Sequence, residues 1–450
     1  TGVGPSFNAG DRVEGYTSFL WVWGMAALHA VTRLPLERLS VGLSVASSLL
    51  LLVALGRLVR RARGADDDGA SSALLLAAYL PLAFWGFSGM ETSLFVAMLL
   101  LVAERLAALG PEASSGEAAW AGALLGLAVA TRPEGVAYLA ASLGILAVRS
   151  RRHLLPFVGS AILLLLPEVI FRGIYYRDVL PNTFYVKVDY SSLTLARHGV
   201  AYLWEGAAPH LAVAAFAAVG ALRLTRRHQW DPPAAVAAIF AATGILVVVY
   251  TGGDHFRELR FFLPIVPFLV VLGAAGWGGL RRPWSGIIPT AVALATLFTS
   301  IEHRALGATS SLVFGPAITA RWRAAGEWLR RTAAPTDLLA TPVAGAIPYA
   351  SGLRTIDMLG LNDRVIGRKQ VRLGLGDRDH EKFDAAYVLS RQPDWIFLGH
   401  FAANDLPDAA RRCAVLPVYR DLFQHLDVSK YELVTGRSPD AAWSFLRRRK

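Results

Sequence analysis

The chain has 450 residues, 54% apolar and only 18% charged, with a mean hydropathy of +0.42; a water-soluble domain does not tolerate that balance, so most of it belongs in a membrane. Forty-five basic residues against 34 acidic ones leave a net charge of +11, and all but five of the basic residues are arginine. The arginine clusters sit between apolar runs long enough to be spans, which points to membrane-flanking loops or to phosphate and carboxylate partners and not to nucleic acid.

A single cysteine, Cys413, excludes an internal disulfide framework and a cysteine-based metal site, and the ten histidines show no zinc-site spacing. The polar start, Thr1 to Gly15, has neither an apolar core nor the pattern of a signal peptide, so the chain reads as a fragment or processed form. Tyr16 to Val31 is apolar but only about 16 residues long, short of the roughly 20 that a span needs.

Ten windows reach or approach span length, near 36–57, 70–87, 91–109, 117–131, 135–149, 154–174, 210–224, 233–252, 261–279 and 286–301. Arg57, Arg60, Arg61 and Arg63, then Arg149, Arg151 and Arg152, then Arg223, Arg226 and Arg227, then Arg281 and Arg282 fall in alternate loops, which the positive-inside rule assigns to the cytoplasm. The acidic run Asp66 to Asp68 weighs little in that rule. For Thr1 to Gly15 to share the outer side with the remaining loops, Tyr16 to Val31 must lie along the interface, with Trp21 and Trp23 at headgroup level.

Hydropathy collapses after Ile301. Short apolar runs at 337–341, 354–357 and 394–399 are separated by helix-like stretches at 318–331 and 382–391, the alternation of a small α/β domain. The expected architecture is a polytopic α-helical membrane protein of about ten membrane helices plus an interfacial helix, with a C-terminal soluble α/β domain. The membrane domain covers 1–301, with 1–35 an outer loop and interfacial helix, and the soluble, extracytoplasmic domain covers 302–450. No internal repeat or heptad pattern appears.

Five polar constellations fall in the loops assigned outside. Asp11, Arg12 and Glu14 precede the interfacial helix, and Glu14 reads as functional while Asp11 is as readily a solvated loop residue. Glu91 follows Gly89 at a helix start, where a carboxylate either interacts with the helix dipole or orients and deprotonates an acceptor hydroxyl. Arg132 and Glu134 form a local ion pair or, alternatively, Arg132 grips a phosphate while Glu134 holds it in place. A long aromatic loop offers Asn182, Tyr185 and Lys187 for a sugar and a phosphate. Finally, Asp254, His255, Arg257, Glu258 and Arg260 crowd between two windows and could seat a phosphate or pyrophosphate, with Asp254 and Arg260 the leading candidates. No glycine-rich nucleotide loop is present, which argues against a nucleotide-sugar donor.

The strings DRVEGYTSFLW, GMETSLF, TRPEG, LPNTFYVK, GGDHFRELRFFLP and GAIPYASGLRTIDMLGLND, in this order from Asp11 onward, resemble the bacterial GT-C glycosyltransferases, closest to the terminal arabinofuranosyltransferase-like group of actinobacteria. The resemblance implies a membrane glycosyltransferase that takes a sugar, for this group arabinofuranose, from a polyprenyl-phosphate donor. It transfers the sugar with inversion to a cell-envelope glycan or glycolipid on the extracytoplasmic face, and its C-terminal domain helps to bind the acceptor. The catalytic aspartates of such enzymes stand after a first span, upstream of the segment resembling DRVEGYTSFLW, and are expected to lie before Thr1.

Glu91 matches the acidic position of the second outer loop in such enzymes and is the catalytic candidate; Arg132, Lys187 and Arg260 fall in matched strings, and with Arg257 their charge suits the donor phosphate. Glu14, Glu134, Asn182, Tyr185, Asp254 and His255 are assigned to sugar or acceptor, and Asp357, Asn362 and Asp363 are at least as readily turn formers. No residue is assigned to a metal, and a divalent ion, Mg or Mn, is the one candidate cofactor. Competing readings are an O-antigen-type polymerase or ligase using a diphosphate-linked lipid, and a non-catalytic flippase, which would place charges at midplane on broken helices.

Overall fold

The computed structural model describes residues 4–64, 69–188, 191–256, 258–277, 284–305, 311–371, 380–439 and 441–449. Asp66 to Asp68, Arg257, Arg281 and Arg282 lie outside the described residues. The chain divides into two compact units: Thr1–Thr17 with Arg172–Ser191 and Thr309–Lys450, and Ser18–Phe171 with Ser192–Ala308. That division is not the linear one at residue 301. The polar start and the long aromatic loop pack with the C-terminal domain because their polar side chains find main-chain partners there.

In the second unit every one of the ten apolar windows carries helix. Among the described residues four helices are long and apolar enough to cross a membrane, Leu36–Arg63, Arg151–Tyr176, Ala207–Arg227 and Pro232–Thr251, and the pair Ala70–Ala77 and Leu80–Phe87, bent by 72°, makes a fifth if it is one span. The others stop short because glycine, proline or a cap ends them. Ser114 caps Ser115–Thr131 in a reciprocal box with Glu117, accepting from its N–H at 3.2 Å while Glu117 Oε2 accepts from the Ser114 N–H at 2.8 Å. The Asp231 carboxylate accepts from the Ala234 N–H at 2.8 Å ahead of Pro232 and Pro233. Phe19–Thr32, 14 residues, extends only about 21 Å at 1.5 Å per residue, against a hydrocarbon core of about 30 Å. Trp21 on it is buried and Trp23 packs edge-on against Phe171 at 5.3 Å.

Helices Ser115–Thr131 and Leu154–Phe171 approach closely enough that a Cβ on Gly122 would stand 1.9 Å from the Phe157 carbonyl oxygen. Gly122→Ala is therefore expected to destabilise the membrane unit by about 1–3 kcal/mol through forced backbone separation. Thermal unfolding in detergent measures this, and an unshifted transition refutes the close packing.

The first unit is built on a five-stranded sheet of order β2-β1-β3-β5-β4, with β1 Leu338–Thr341, β2 Arg354–Asp357, β3 Trp395–Gly399, β4 Tyr431–Ser438 and β5 Ala441–Arg448. β2, β1 and β3 are parallel, and β5 pairs antiparallel with both β3 and β4. Alternation divides the strands between two cores. Trp395, Phe397 and Phe445 face helix Ser311–Thr332, whose Trp328 stacks on Phe445 at 5.5 Å. Ile396, Leu398 and Leu446 face the short helices Ala385–Ser390, Leu406–Cys413 and Pro417–His425. Sequence patterning found β1, β2 and β3, and the β4–β5 hairpin adds the antiparallel half. Edge strand β2 is closed by Asn8, whose side-chain amide donates to the Thr355 carbonyl (2.9 Å) and accepts from its N–H (2.8 Å), a side-chain substitute for a missing strand.

Candidate active site

The candidate site residues separate into two groups, one in each unit. In the membrane unit Arg132, at the C-terminal cap of Ser115–Thr131, is held by two carboxylates. Nη1 donates to Glu91 Oε1 at 2.9 Å and Nη2 to Glu134 Oε1 at 2.7 Å, and the Arg132 and Glu91 side chains are each 8% exposed. The sequence reading of an Arg132–Glu134 pair two residues apart is thus extended by Glu91, 41 residues earlier. Glu91 stands at the N-cap of Thr92–Ala108 without bonding the helix N–H groups, so its carboxylate is directed at Arg132 and not at its own helix. Beneath Arg132 the aromatic rings of Phe95, Tyr138, Phe240 and Phe268 run edge to face at 5.2–6.1 Å, and the guanidinium lies 5.9 Å over Phe95 and 5.4 Å over Phe261.

Arg260 is tied on one side only. Its Nε donates to Asp254 Oδ2 at 2.9 Å, and the Asp254 side chain is fully buried. Among the described residues nothing bonds its two terminal nitrogens. The guanidinium lies 5.0–5.8 Å from the rings of Phe256, Phe261 and Trp85. Trp85 is fixed by its indole N–H donating to the Glu258 carbonyl at 3.0 Å. The turn that sets Asp254 needs Gly253, at φ +79°, where a Cβ would lie 2.5 Å from the Tyr202 ring. The Tyr202 hydroxyl accepts from the Phe261 N–H at 3.3 Å.

Arg132, Glu134 and Arg260 line one void of about 10 Å³ together with Thr92, Tyr138 and Phe261, about the space one water centre needs. Two guanidinium groups, one doubly neutralised and one with donors to spare, therefore converge on a single point. His255 is exposed beside Phe256, and Arg257 lies outside the described residues. Among those described, no three His, Cys, Asp or Glu side chains converge as metal ligands would.

In the first unit Glu14 is buried and accepts from Arg172 Nε with both oxygens, at 3.0 and 2.9 Å. Burial lifts the Glu14 carboxyl above its ordinary range, and Arg172 pulls it back. The Asn182 amide donates to the carbonyls of Gly360 (2.8 Å), Leu361 (3.1 Å) and Asp363 (3.3 Å), so it ties the aromatic loop to the C-terminal domain. Tyr185 donates to Asp178 at 3.0 Å and lies under Arg368 at 4.5 Å. Lys187 ends the helix Asn182–Lys187.

Asp357 accepts from the N–H groups of Leu359 (3.1 Å) and Asn362 (2.8 Å) and from the Asn362 amide (3.0 Å). Asp363 caps Arg364–Gly367, so both acids are turn formers. Asn182→Ala is expected to cost about 1–3 kcal/mol by leaving these carbonyls without a donor. Amide hydrogen exchange at 359–364 reads this as faster opening, and unchanged protection there would show that the tether is idle.

Sequence reasoning did not single out Arg172, Trp85, Tyr138 or Tyr202. Arg172 had a signal: a charge at the end of the apolar stretch 154–171, four residues after Glu168, is costly unless it is paired. Tyr138 stands four residues after Glu134 and so shares its helical face. Trp85 and Tyr202 carried no signal that separates them from ordinary core aromatics.

A family model described as a domain of unknown function (DUF8728) matches residues 316–446. Over 342 residues the chain is 27% identical to the terminal beta-(1->2)-arabinofuranosyltransferase of Corynebacterium glutamicum; the alignment covers 66% of this chain and 48% of that protein, so the chain spans about half the length of the curated relative it matches. Among solved structures, ArnT from Cupriavidus metallidurans superposes in its apo state with a TM-score of 0.57 over 98% of this chain and 90% of that one, and in its undecaprenyl phosphate complex with 0.55 over 96% and 88%, both at 14% identity.

Proposed function

The chain has the fold of the GT-C glycosyltransferase superfamily, and from that premise we propose that it transfers a sugar from a polyprenyl-phosphate donor to a cell-envelope glycan or glycolipid on the extracytoplasmic face, inverting the anomeric centre. Arabinofuranose is the sugar that the name of the corynebacterial relative suggests. The supporting observation is Arg260: a buried guanidinium oriented by Asp254, with no partner for its terminal donors among the described residues, lining the same void as Arg132. A phosphate brought against the terminal nitrogens of Arg260, outside a void that itself holds about one water, receives charge-assisted hydrogen bonds from a fixed, weakly hydrated cation.

In the proposed reaction the bond from the anomeric carbon to the phosphate oxygen breaks and its electron pair passes to the phosphate. The acceptor hydroxyl oxygen bonds the opposite face of that carbon, and a carboxylate takes the hydroxyl proton. Arg260 and Arg132 stabilise the charge that grows on the departing phosphate. Glu91 and Asp254 act as positioning residues for those two cations. Glu134 lines the void and serves a sugar or acceptor hydroxyl.

The test is transfer of radiolabelled sugar into membranes that carry the full-length protein, including the aspartates expected before Thr1, from donors linked by one phosphate, by a diphosphate or to a nucleotide. Transfer from the polyprenyl monophosphate alone is expected. Transfer from the diphosphate-linked lipid would instead favour the polymerase or ligase reading, and none from any donor would leave the flippase.

A further inference from the structure

The soluble unit contains a second polar cavity that the transfer chemistry leaves unused. A cleft of about 600 Å³ opens between the N-terminal segment at Arg12, the turn at Tyr175–Arg177 and the start of β2, within the range of about 300–1,000 Å³ typical of small-molecule sites. Five guanidinium groups line it, against two carboxylates, Asp11 and Asp363.

Two of the five are committed within the protein. Arg354 donates to both oxygens of Asp11 at 3.1 Å, and Arg364 donates to the main-chain carbonyls of Arg12 (3.0 Å) and Tyr176, bracing the walls. Asp363 neutralises little more, since its carboxylate accepts from the N–H groups of Val365 and Ile366 and from the Tyr387 hydroxyl. The other three arginines have no carboxylate partner among the described residues. Arg12 lies 4.9 Å over the Tyr175 ring, Arg391 donates to the Tyr387 hydroxyl at 3.0 Å, and Arg177 has no hydrogen-bond or ion-pair partner among the described residues. Arg177 is also held at φ +55°, a backbone conformation uncommon for a residue with a side chain.

Guanidinium groups left unneutralised around a roomy polar cleft match the forked geometry of phosphate and carboxylate, and Tyr175 and Tyr387 offer flat amphipathic rings beside them. We propose that this cleft binds an anionic saccharide, its phosphate or carboxylate held by Arg12, Arg177 and Arg391 and its ring lying against Tyr175 and Tyr387. The ligand is distinct from the lipid-linked donor, and its binding is read without sugar transfer, so either reading can fail while the other stands.

Calorimetric titration of the detergent-solubilised chain tests this with two probe pairs of matched skeleton, tetragalacturonate against its tetramethyl ester and mannose 6-phosphate against mannose. The charged member of at least one pair is expected to bind at least tenfold more tightly than its neutral partner, and the responding pair tells carboxylate from phosphate. Binding is expected to weaken as ionic strength rises from about 0.05 to 0.3 M. It is also expected to fall at least tenfold in the double variant Arg177→Gln with Arg391→Gln, and to persist within threefold in Arg177→Lys.

Equal binding of charged and neutral probes, binding of neither anion, or full affinity in the double variant would each overturn the proposal. If the double variant melts early, Arg391→Gln alone decides: a loss of threefold or more at the native melting temperature supports the site, and no loss overturns it.

Discussion

Arg260→Ala is expected to lower the turnover of sugar transfer by about 10²–10³, the usual effect of removing one preorganised donor to transition-state charge, with a smaller change in KM. The reasoning rests on asymmetry. Asp254 holds Nε alone, so the side chain keeps its orientation while its outer nitrogens remain available to a ligand whose charge grows as the glycosidic bond breaks. A loss confined to KM would mean that the contact is equally strong before and during reaction. Arg260→Lys is expected to stay well below wild type, because one ammonium cannot both hold Asp254 and present a planar fork. Wild-type rates in Arg260→Ala would remove the residue from the site.

Arg132→Ala is expected to give a different phenotype, loss of the folded protein. Removing this guanidinium strands two carboxylates, Glu91 and Glu134, against a floor of aromatic rings, and uncompensated buried charge costs about 3–5 kcal/mol. Thermal unfolding in detergent is expected to fall by roughly 10 °C, with reduced yield. The triple variant Arg132→Met, Glu91→Gln, Glu134→Gln removes the charges together and is expected to regain most of the lost stability while transferring no sugar. A stable Arg132→Ala protein would show that the two acids do not depend on it, and recovery of transfer in the triple variant would show that the cation has no part in chemistry.

The elements that were legible in the sequence are those with a strong local signal. Ten apolar windows became helix because hydropathy over about 20 residues has few alternative explanations, and Leu338–Thr341, Arg354–Asp357 and Trp395–Gly399 announced themselves as apolar runs between turn residues. The β4–β5 hairpin did not. Tyr431–Ser438 alternates only weakly, and Ala441–Arg448 runs into arginines that read as a charged tail.

In the site, Arg132 and Glu134 were visible as neighbours, whereas the Glu91 bond joins residues 41 positions apart and follows only from how two helices pack. The roles of Asn182 and of Lys382, which donates to the Tyr185 and Gly367 carbonyls at 2.7 and 3.0 Å, were hidden for a further reason. Their partners are main-chain oxygens, which every residue supplies, so no side-chain pattern marks them.

The first unit, assembled from three distant stretches, also sets a schedule for biosynthesis. Asn8 and Thr355 are 347 residues apart, so at about 5–20 residues per second the amide that seals the sheet edge waits roughly 20–70 s for the strand it will cover. The ribosome must deliver nearly all of the hydrophobic helices in the interval, and although Glu14 can meet Arg172 midway, Asn8 spends the whole of it without its partner. Premature termination anywhere before β2 would release a chain whose Asn8 never finds its strand, whatever the state of its membrane helices.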